Sequence, residues 1–298
     1  MNPIKLFYIF TFLFLFSLKT ISQNSGYKEV QLTNNIFDNR FASYNKYGNS
    51  IVFESNRDGN WQIYIMSING NNQKRIIRST SNDRRPTWHP YKSIILFESD
   101  RSGTNELYTF DLSKGITTKI PIPLKGNKTF AQFAPNGKEI AFNYKVNDNN
   151  FDIYIIYHKG TRLKKIIANS YKNLYPRYSP RGDEIVYFSR KHTKNKDDEI
   201  YAYNIILNTE TRLTKMPQHN FSPIWSNNGE LIAYATSTEG NKPEIYLMKK
   251  SGNAKQRITF NSDRDILPSW SPNDTNLLIT KNKNGNYQIC KILLKKPL

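Results

Sequence analysis

Six short runs of consecutive apolar residues recur along the chain: Ile51-Val52-Phe53, Ile95-Leu96-Phe97, Ile140-Ala141-Phe142, Ile185-Val186-Tyr187, Ile232-Ala233-Tyr234 and Leu278-Ile279-Thr280. A strand with one wet face alternates apolar with polar residues. These runs do not alternate, so they predict strands covered on both faces. An x-Pro-x-aromatic-Ser-Pro element, complete in units four and six and degenerate in the others, precedes each run, with its aromatic at Tyr44, Trp88, Phe133, Tyr178, Trp225 and Trp270, spaced by 44 to 47 residues. An Ile-Tyr pair follows each run: Ile63-Tyr64, Leu107-Tyr108, Ile153-Tyr154, Ile200-Tyr201, Ile245-Tyr246 and a decayed Ile289-Cys290. Two markers with one period define an array of equal units, and a four-strand unit of this length is a propeller blade. Unit five predicts strands at Pro223–Ser226, Leu231–Ala235, Glu244–Met248 and Gln256–Thr259, with turns at Asn227-Asn228-Gly229 and Ser251-Gly252. Pro and Gly punctuate the chain too often for helices. The expectation is an all-β, six-bladed propeller of four-stranded antiparallel blades, a single domain over residues 27–298.

The last unit runs out after Ile289–Leu294 and lacks a fourth strand. Val30–Thr33, near the N-terminus, resembles the fourth strands that end in Arg212-Leu213-Thr214 and Arg257-Ile258-Thr259. It is expected to complete the sixth blade and close the ring; a frayed tail is the alternative.

Ahead of the repeats lie Lys5, an apolar stretch from Leu6 to Leu18, and small residues suited to cleavage after Ser22. Residues 1–22 read as a signal peptide, because about 13 apolar residues fall short of the roughly 20 needed to span a bilayer. An uncleaved anchor is the alternative. No membrane span is expected after signal removal, and the compartment is periplasmic or secreted. The single cysteine, Cys290, occupies the column that holds Tyr elsewhere and reads as a core residue.

The formal charge is +19, from 43 basic and 24 acidic residues. Without Lys5 and Lys19 it is 41 − 24 = +17. Such a surplus favours an anionic partner: an envelope protein, a peptide or an anionic glycan. Export argues against nucleic acid. Many lysines sit in turns, including Lys249 and Lys250, where they serve solubility alone. A monomer is expected.

Asp83-Arg84-Arg85-Pro86-Thr87-Trp88-His89-Pro90 and Asp265-Ile266-Leu267-Pro268-Ser269-Trp270-Ser271-Pro272 resemble the TolB-type repeat, D-x-x-P-x-W-S-P-D-G. Ser55-Asn56-Arg57-Asp58-Gly59 and Ser99-Asp100-Arg101-Ser102-Gly103 match its S-x-R-D-G portion. The resemblance covers residues 27–298 and implies a TolB-like six-bladed propeller. TolB proteins are periplasmic members of the Tol–Pal envelope system that join an N-terminal α/β domain to the propeller, and their propeller binds the peptidoglycan-associated lipoprotein. Only a few residues separate the apolar segment from the closing strand, so the resemblance implies the propeller part alone. Similar repeats form the propeller of prolyl-oligopeptidase-type peptidases, which carry a separate hydrolase domain.

Motifs for chemistry are missing. G-x-S-x-G, H-E-x-x-H, C-x-x-C and a Walker loop do not occur, and His89, His158, His192 and His219 lack metal-ligand spacing. No cofactor is expected. His89 replaces the Ser of Ser-Pro and reads as a turn residue. The acids before Ile-Tyr (Glu106, Asp152, Glu199, Glu244) recur by blade and read as architectural. Three residues before the Pro column stand Asn39, Asp83, Lys128, Asn173, Asn220 and Asp265, leading into the innermost strand. This ring is expected to face the mouth of the central channel; turn-capping is the alternative. Its neighbours are uneven: Arg40, Arg84 and Arg85 in blades one and two, against Leu174-Tyr175, Phe221 and Ile266-Leu267 in blades four to six. The reading is a non-enzymatic envelope propeller binding a protein, peptide or glycan at the channel mouth. The alternatives are a carbohydrate-active or lactone-hydrolysing propeller with a metal in the channel, and a purely structural envelope protein.

Overall fold

The computed structural model describes residues 27–191, 197–215, 218–237 and 242–295. Residues 1–22, expected to be a signal peptide, and residues 192–196, with His192, lie outside them. Every regular element described is a strand, and the strands form six four-stranded antiparallel sheets. Blade one runs outward as Asn39–Tyr44, Ser50–Ser55, Gln62–Ser67 and Lys74–Arg75. The innermost strands of the other blades are Asp83–Trp88, Lys128–Phe133, Asn173–Tyr178, Asn220–Trp225 and Arg264–Trp270.

The apolar runs are the second strands, and their side chains are buried because blades stack face to face. One core cluster joins Leu96 and Leu107 of blade two to Phe133, Phe142 and Tyr154 of blade three. Each such side chain contributes roughly 1.5–3 kcal/mol on burial. In blade six the run is displaced by one residue from expectation. Trp270 pairs with Leu277 as Tyr44 pairs with Ile51, so the equivalent triplet is Leu277-Leu278-Ile279. Cys290 then lies opposite Ile279, in the Tyr column, buried and free.

The turns that follow the innermost strands are held by side chains. The Ser179, Ser226 and Ser271 hydroxyls accept the amides of Glu184, Leu231 and Asn276 at 3.0–3.1 Å. His89 does the same work: its Nδ1 accepts the amides of Tyr91 and Lys92, which leaves Nε2–H to donate to the Gly137 carbonyl at 3.2 Å. The repeated acids are architectural as well. Glu199 and Glu244 pair with Arg212 and Arg257 of their own outer strands at 2.9 and 3.0 Å.

The ring is closed by the N-terminal strand Lys28–Gln31, antiparallel to Asn286–Leu293 with Gln31 opposite Cys290. Beyond it, the Thr33 hydroxyl accepts the Ile289 amide at 2.8 Å, as Thr214 accepts Ile200 and Thr259 accepts Ile245 in blades four and five. The match extends to the next blade. Gly70 turns with φ +86 beneath the Leu32 carbonyl, where a Cβ would come within 2.4 Å, and Gly252 meets Leu213 in the same way. Only glycine allows that approach.

Candidate functional site

Each innermost strand loses register once, between Arg40 and Ser43, Arg84 and Thr87, Thr129 and Gln132, Leu174 and Arg177, Phe221 and Ile224, and Ile266 and Ser269. The bulged residues Phe41, Arg85, Phe130, Tyr175, Ser222 and Leu267 all have φ between 50° and 62°. Positive φ is rare for such side chains, so sixfold recurrence marks a built feature. Pro86, Pro176, Pro223 and Pro268 follow the bulge, where a missing amide leaves no ladder bond unmade. This is why the unit-five inner strand starts at Asn220 and not Pro223: pairing resumes on the far side of the bulge, Asn220 against Thr236. Freed amides find acceptors on the preceding blade. Arg85 donates to Glu54 at 2.7 Å, Phe130 to Glu98 at 2.5 Å and Tyr175 to Asn143 at 2.9 Å.

The predicted ring does not face the channel mouth. Asn39, Asp83, Lys128, Asn173, Asn220 and Asp265 are 0–2% exposed. Their partners explain the burial. The Arg of S-x-R reaches back to the ring position of its own blade: Arg57 donates to Asn39 at 2.7 Å, and Arg101 to both oxygens of Asp83 at 2.8 and 3.0 Å. Lys128 inverts the polarity and pairs with Glu106 of blade two at 2.9 Å, also reaching the Leu124 carbonyl. Asn173 and Asn220 donate to the carbonyls of Tyr171 and Gln218, the turn-capping alternative. Asp265 accepts from Asn261 at 2.6 Å and lies 3.9 Å from Lys281. Burial pushes its carboxyl up to about 6.

The flanking basic residues divide. Arg85 is committed to the fold: it pairs with Glu98 at 2.6 Å, bonds Thr129 and stacks on Phe130 at 4.4 Å. Arg40 pairs with Glu54 at 3.3 Å and lies over the Trp61 ring at 3.9 Å. Arg84 approaches the same indole at 5.2 Å and has no hydrogen bond or ion pair among the described residues. Burial lowers its pKa, with Arg85 and Arg40 adding to the effect and Glu54 opposing it. Tyr287 of blade six completes the group, 5.6 Å from Arg40. Trp61, between two guanidiniums, was not singled out in the sequence. Its column carries Asn105 and Phe151 in the next blades, so only its departure from the repeat marked it.

A second feature lies at the opposite end of the innermost strands. A cavity of about 490 Å³ is lined by all six of them and by the turns that follow them. Phe41, Tyr175 and Leu267 lie deepest along the strands, and Ser43, Thr87, Gln132, Arg177, Ile224 and Ser269 form the next tier. Sequence reasoning missed this tier because the bulge shifts the alternation of faces by a residue. No cluster of three or more His, Cys, Asp or Glu that could hold a metal occurs among the described residues.

The model of the TolB beta propeller domain family matches residues 28–196 and 133–297. The chain belongs to this family. Curated relatives include the Protein TolB homolog of Chlorobium luteolum, 26% identical over 140 residues that make up 46% of this chain and 30% of the homolog. The Tol-Pal system protein TolB of Francisella tularensis subsp. holarctica is 26% identical over 262 residues, 71% of this chain and 60% of that protein. The chain thus spans less than two thirds of the length of these family relatives. Among solved structures, TolB from Acinetobacter baumannii superposes with a TM-score of 0.65 at 20% identity, covering 86% of this chain and 63% of that one. An oligogalacturonate lyase in complex with manganese superposes at 0.63 and 17% identity, covering 92% and 95%. At these identities the likeness is one of fold, and enzymes share it with binding proteins.

Proposed function

We propose that this protein is an exported, non-enzymatic propeller of the cell envelope that binds an acidic protein partner at the mouth formed by Arg40, Arg84, Trp61 and Tyr287. The observation that carries the proposal is Arg84: a half-buried guanidinium with no hydrogen bond or ion pair among the described residues, beside an indole already stacked under Arg40. A buried cation without a partner is costly, and an incoming carboxylate relieves that cost while the indole supplies apolar contact. Leu174, Phe221 and Ile266, half-buried at the equivalent position of blades four to six, give the same end of the channel an apolar side. Kinship with proteins named for the Tol-Pal system supports an envelope setting and a protein partner. Of the original candidates, Arg40 and Arg84 are the groups available for contact. Asn39, Asp83, Arg85, Lys128, Asn173, Asn220 and Asp265 support them from within.

The test is capture of partner from an envelope extract of the native host. Trp61→Ala removes the platform beneath both guanidiniums and leaves the charge unchanged. Capture falls at least tenfold if the mouth is the site; unchanged capture by a folded variant refutes it.

A further inference from the structure

The channel has a second end, and one residue there breaks the repeat. In the tier Ser43, Thr87, Gln132, Arg177, Ile224 and Ser269, five blades place an uncharged side chain on the cavity and blade four places an arginine. Arg177 is 4% exposed. It has no ion pair among the described residues. Its Nη1 donates to the carbonyls of Phe130 and Pro176 at 3.1 and 2.8 Å, and its guanidinium lies 3.6 Å from the Tyr175 ring centroid. These contacts fix the group without neutralising it. Buried cations are normally paired with an anion.

Two further observations point to a ligand. The cavity lining includes Lys46 and His89 but no Asp or Glu, so nothing on its wall answers the charge. Ser43 Oγ, Tyr44 OH, Tyr178 OH and Trp225 Nε1, all on lining residues, are buried and make no hydrogen bond among the described residues. Buried polar groups are nearly always satisfied, and four orphans around one cavity mark a place where something else supplies partners. The rings of Trp88, Trp225 and Trp270 line the same wall.

We infer that this cavity takes the free C-terminal carboxylate of a peptide, with Arg177 as the carboxylate-binding residue and the aromatic wall receiving the terminal side chain. A chain end brings a carboxylate and an apolar side chain together, as the lining brings Arg177 together with Phe41, Tyr175, Leu267 and the tryptophans. Two N–H groups of one guanidinium match the two oxygens of a carboxylate. The site is separate from the Arg84 mouth and stands or falls independently of it.

The tryptophans provide the readout. The chain has four; three line the cavity and Trp61 sits at the other end. N-acetyl-phenylalanine, added to the ¹⁵N-labelled protein, is expected to shift the indole signals of Trp88, Trp225 and Trp270 and leave Trp61 in place. N-acetyl-phenylalanine amide and the Arg177→Gln variant should each bind at least tenfold more weakly. Gln132→Glu puts a carboxylate on the same tier while keeping the oxygen that accepts the Tyr178 amide at 2.9 Å. It should weaken binding similarly and serves if Arg177→Gln fails to fold. Equal binding of acid and amide, undiminished binding to both variants, or shifts confined to Trp61 would overturn the site. Tighter binding of galacturonic acid than of N-acetyl-phenylalanine would overturn the peptide assignment.

Discussion

The Thr33 hydroxyl accepts the Ile289 amide at 2.8 Å, within 0.1 Å of the bond that Thr214 makes to Ile200. A residue near the N-terminus thus occupies the place of an outer-strand residue in a blade assembled from the other end of the chain. The clasp should therefore carry stability out of proportion to its length. Leu32→Ala removes a buried side chain from the cluster joining blades six and one and should cost about 2–5 kcal/mol. Deletion of residues 27–33 should cost more, since it also exposes a strand edge. Thermal melts of both variants check this; midpoints equal to that of the intact protein would count against closure by this strand.

Gly70 offers a test of the same contact from the other side. Gly70→Ala drives a Cβ against the Leu32 carbonyl in a left-handed conformation. Gly59, with φ +94 and open space around its Cβ position, is the control. The Gly70 variant should lower the melting midpoint well beyond the Gly59 variant, by roughly 2–4 °C for each kcal/mol lost.

Asp83→Ala should report on stability. It strands Arg101, which donates to both Asp83 oxygens, and breaking a buried pair in this way costs about 3–5 kcal/mol. Asp83→Asn keeps an acceptor and should lose less. Denaturant titration of the two variants distinguishes this role from one in ligand contact.

Asp265 makes stability depend on pH. Its carboxyl is raised to about 6, chiefly by burial and against the pull of Lys281, and Glu244 raises it further. A raised carboxyl pKa means that the folded state binds the proton more tightly than the unfolded state. The stabilising contribution is present below pH 4 and is lost as pH rises towards 6. Lys281 also faces Glu29 at 2.6 Å and Asp263 at 3.9 Å, so it keeps counter-ions when Asp265 is neutral. Asp265→Asn should flatten the stability profile between about pH 4 and 6 and raise stability at pH 7 by on the order of 2 kcal/mol. Melting curves across that range check the sign.

The fold was legible because the repeat states it six times. The apolar runs, the Ile-Tyr column and the Leu32-Thr33 match each encode contacts that packing between blades enforces. The site was less legible because the bulge at Phe41, Arg85 and their equivalents changes which residues face the axis, and a sequence pattern carries no sign of φ. Asp83 and Lys128 read as ligands because they are polar and stand at a repeated position, yet recurrence is also what structural bonds within a blade (Asp83 to Arg101) and between blades (Lys128 to Glu106) produce. Of the residues with unspent charge, Arg177 differs from its column, and Arg84 shares its own with Arg40 alone. Seeing that they form no ion pair among the described residues required the positions of Glu54, Glu98 and the carbonyls around them.

Arg84 is the residue proposed to meet an acidic partner. That contact is tested most directly by the dissociation constant of the captured partner for the intact protein, Arg84→Glu and Lys249→Glu. The last makes the same change in net charge at the exposed end of the strand Pro243–Lys249. A charge-assisted contact contributes about 1.5–3 kcal/mol, so Arg84→Glu should weaken binding more than tenfold while Lys249→Glu stays within about twofold. Equal losses in both variants would assign the effect to net charge, and no loss in either would contradict the mouth as the binding site.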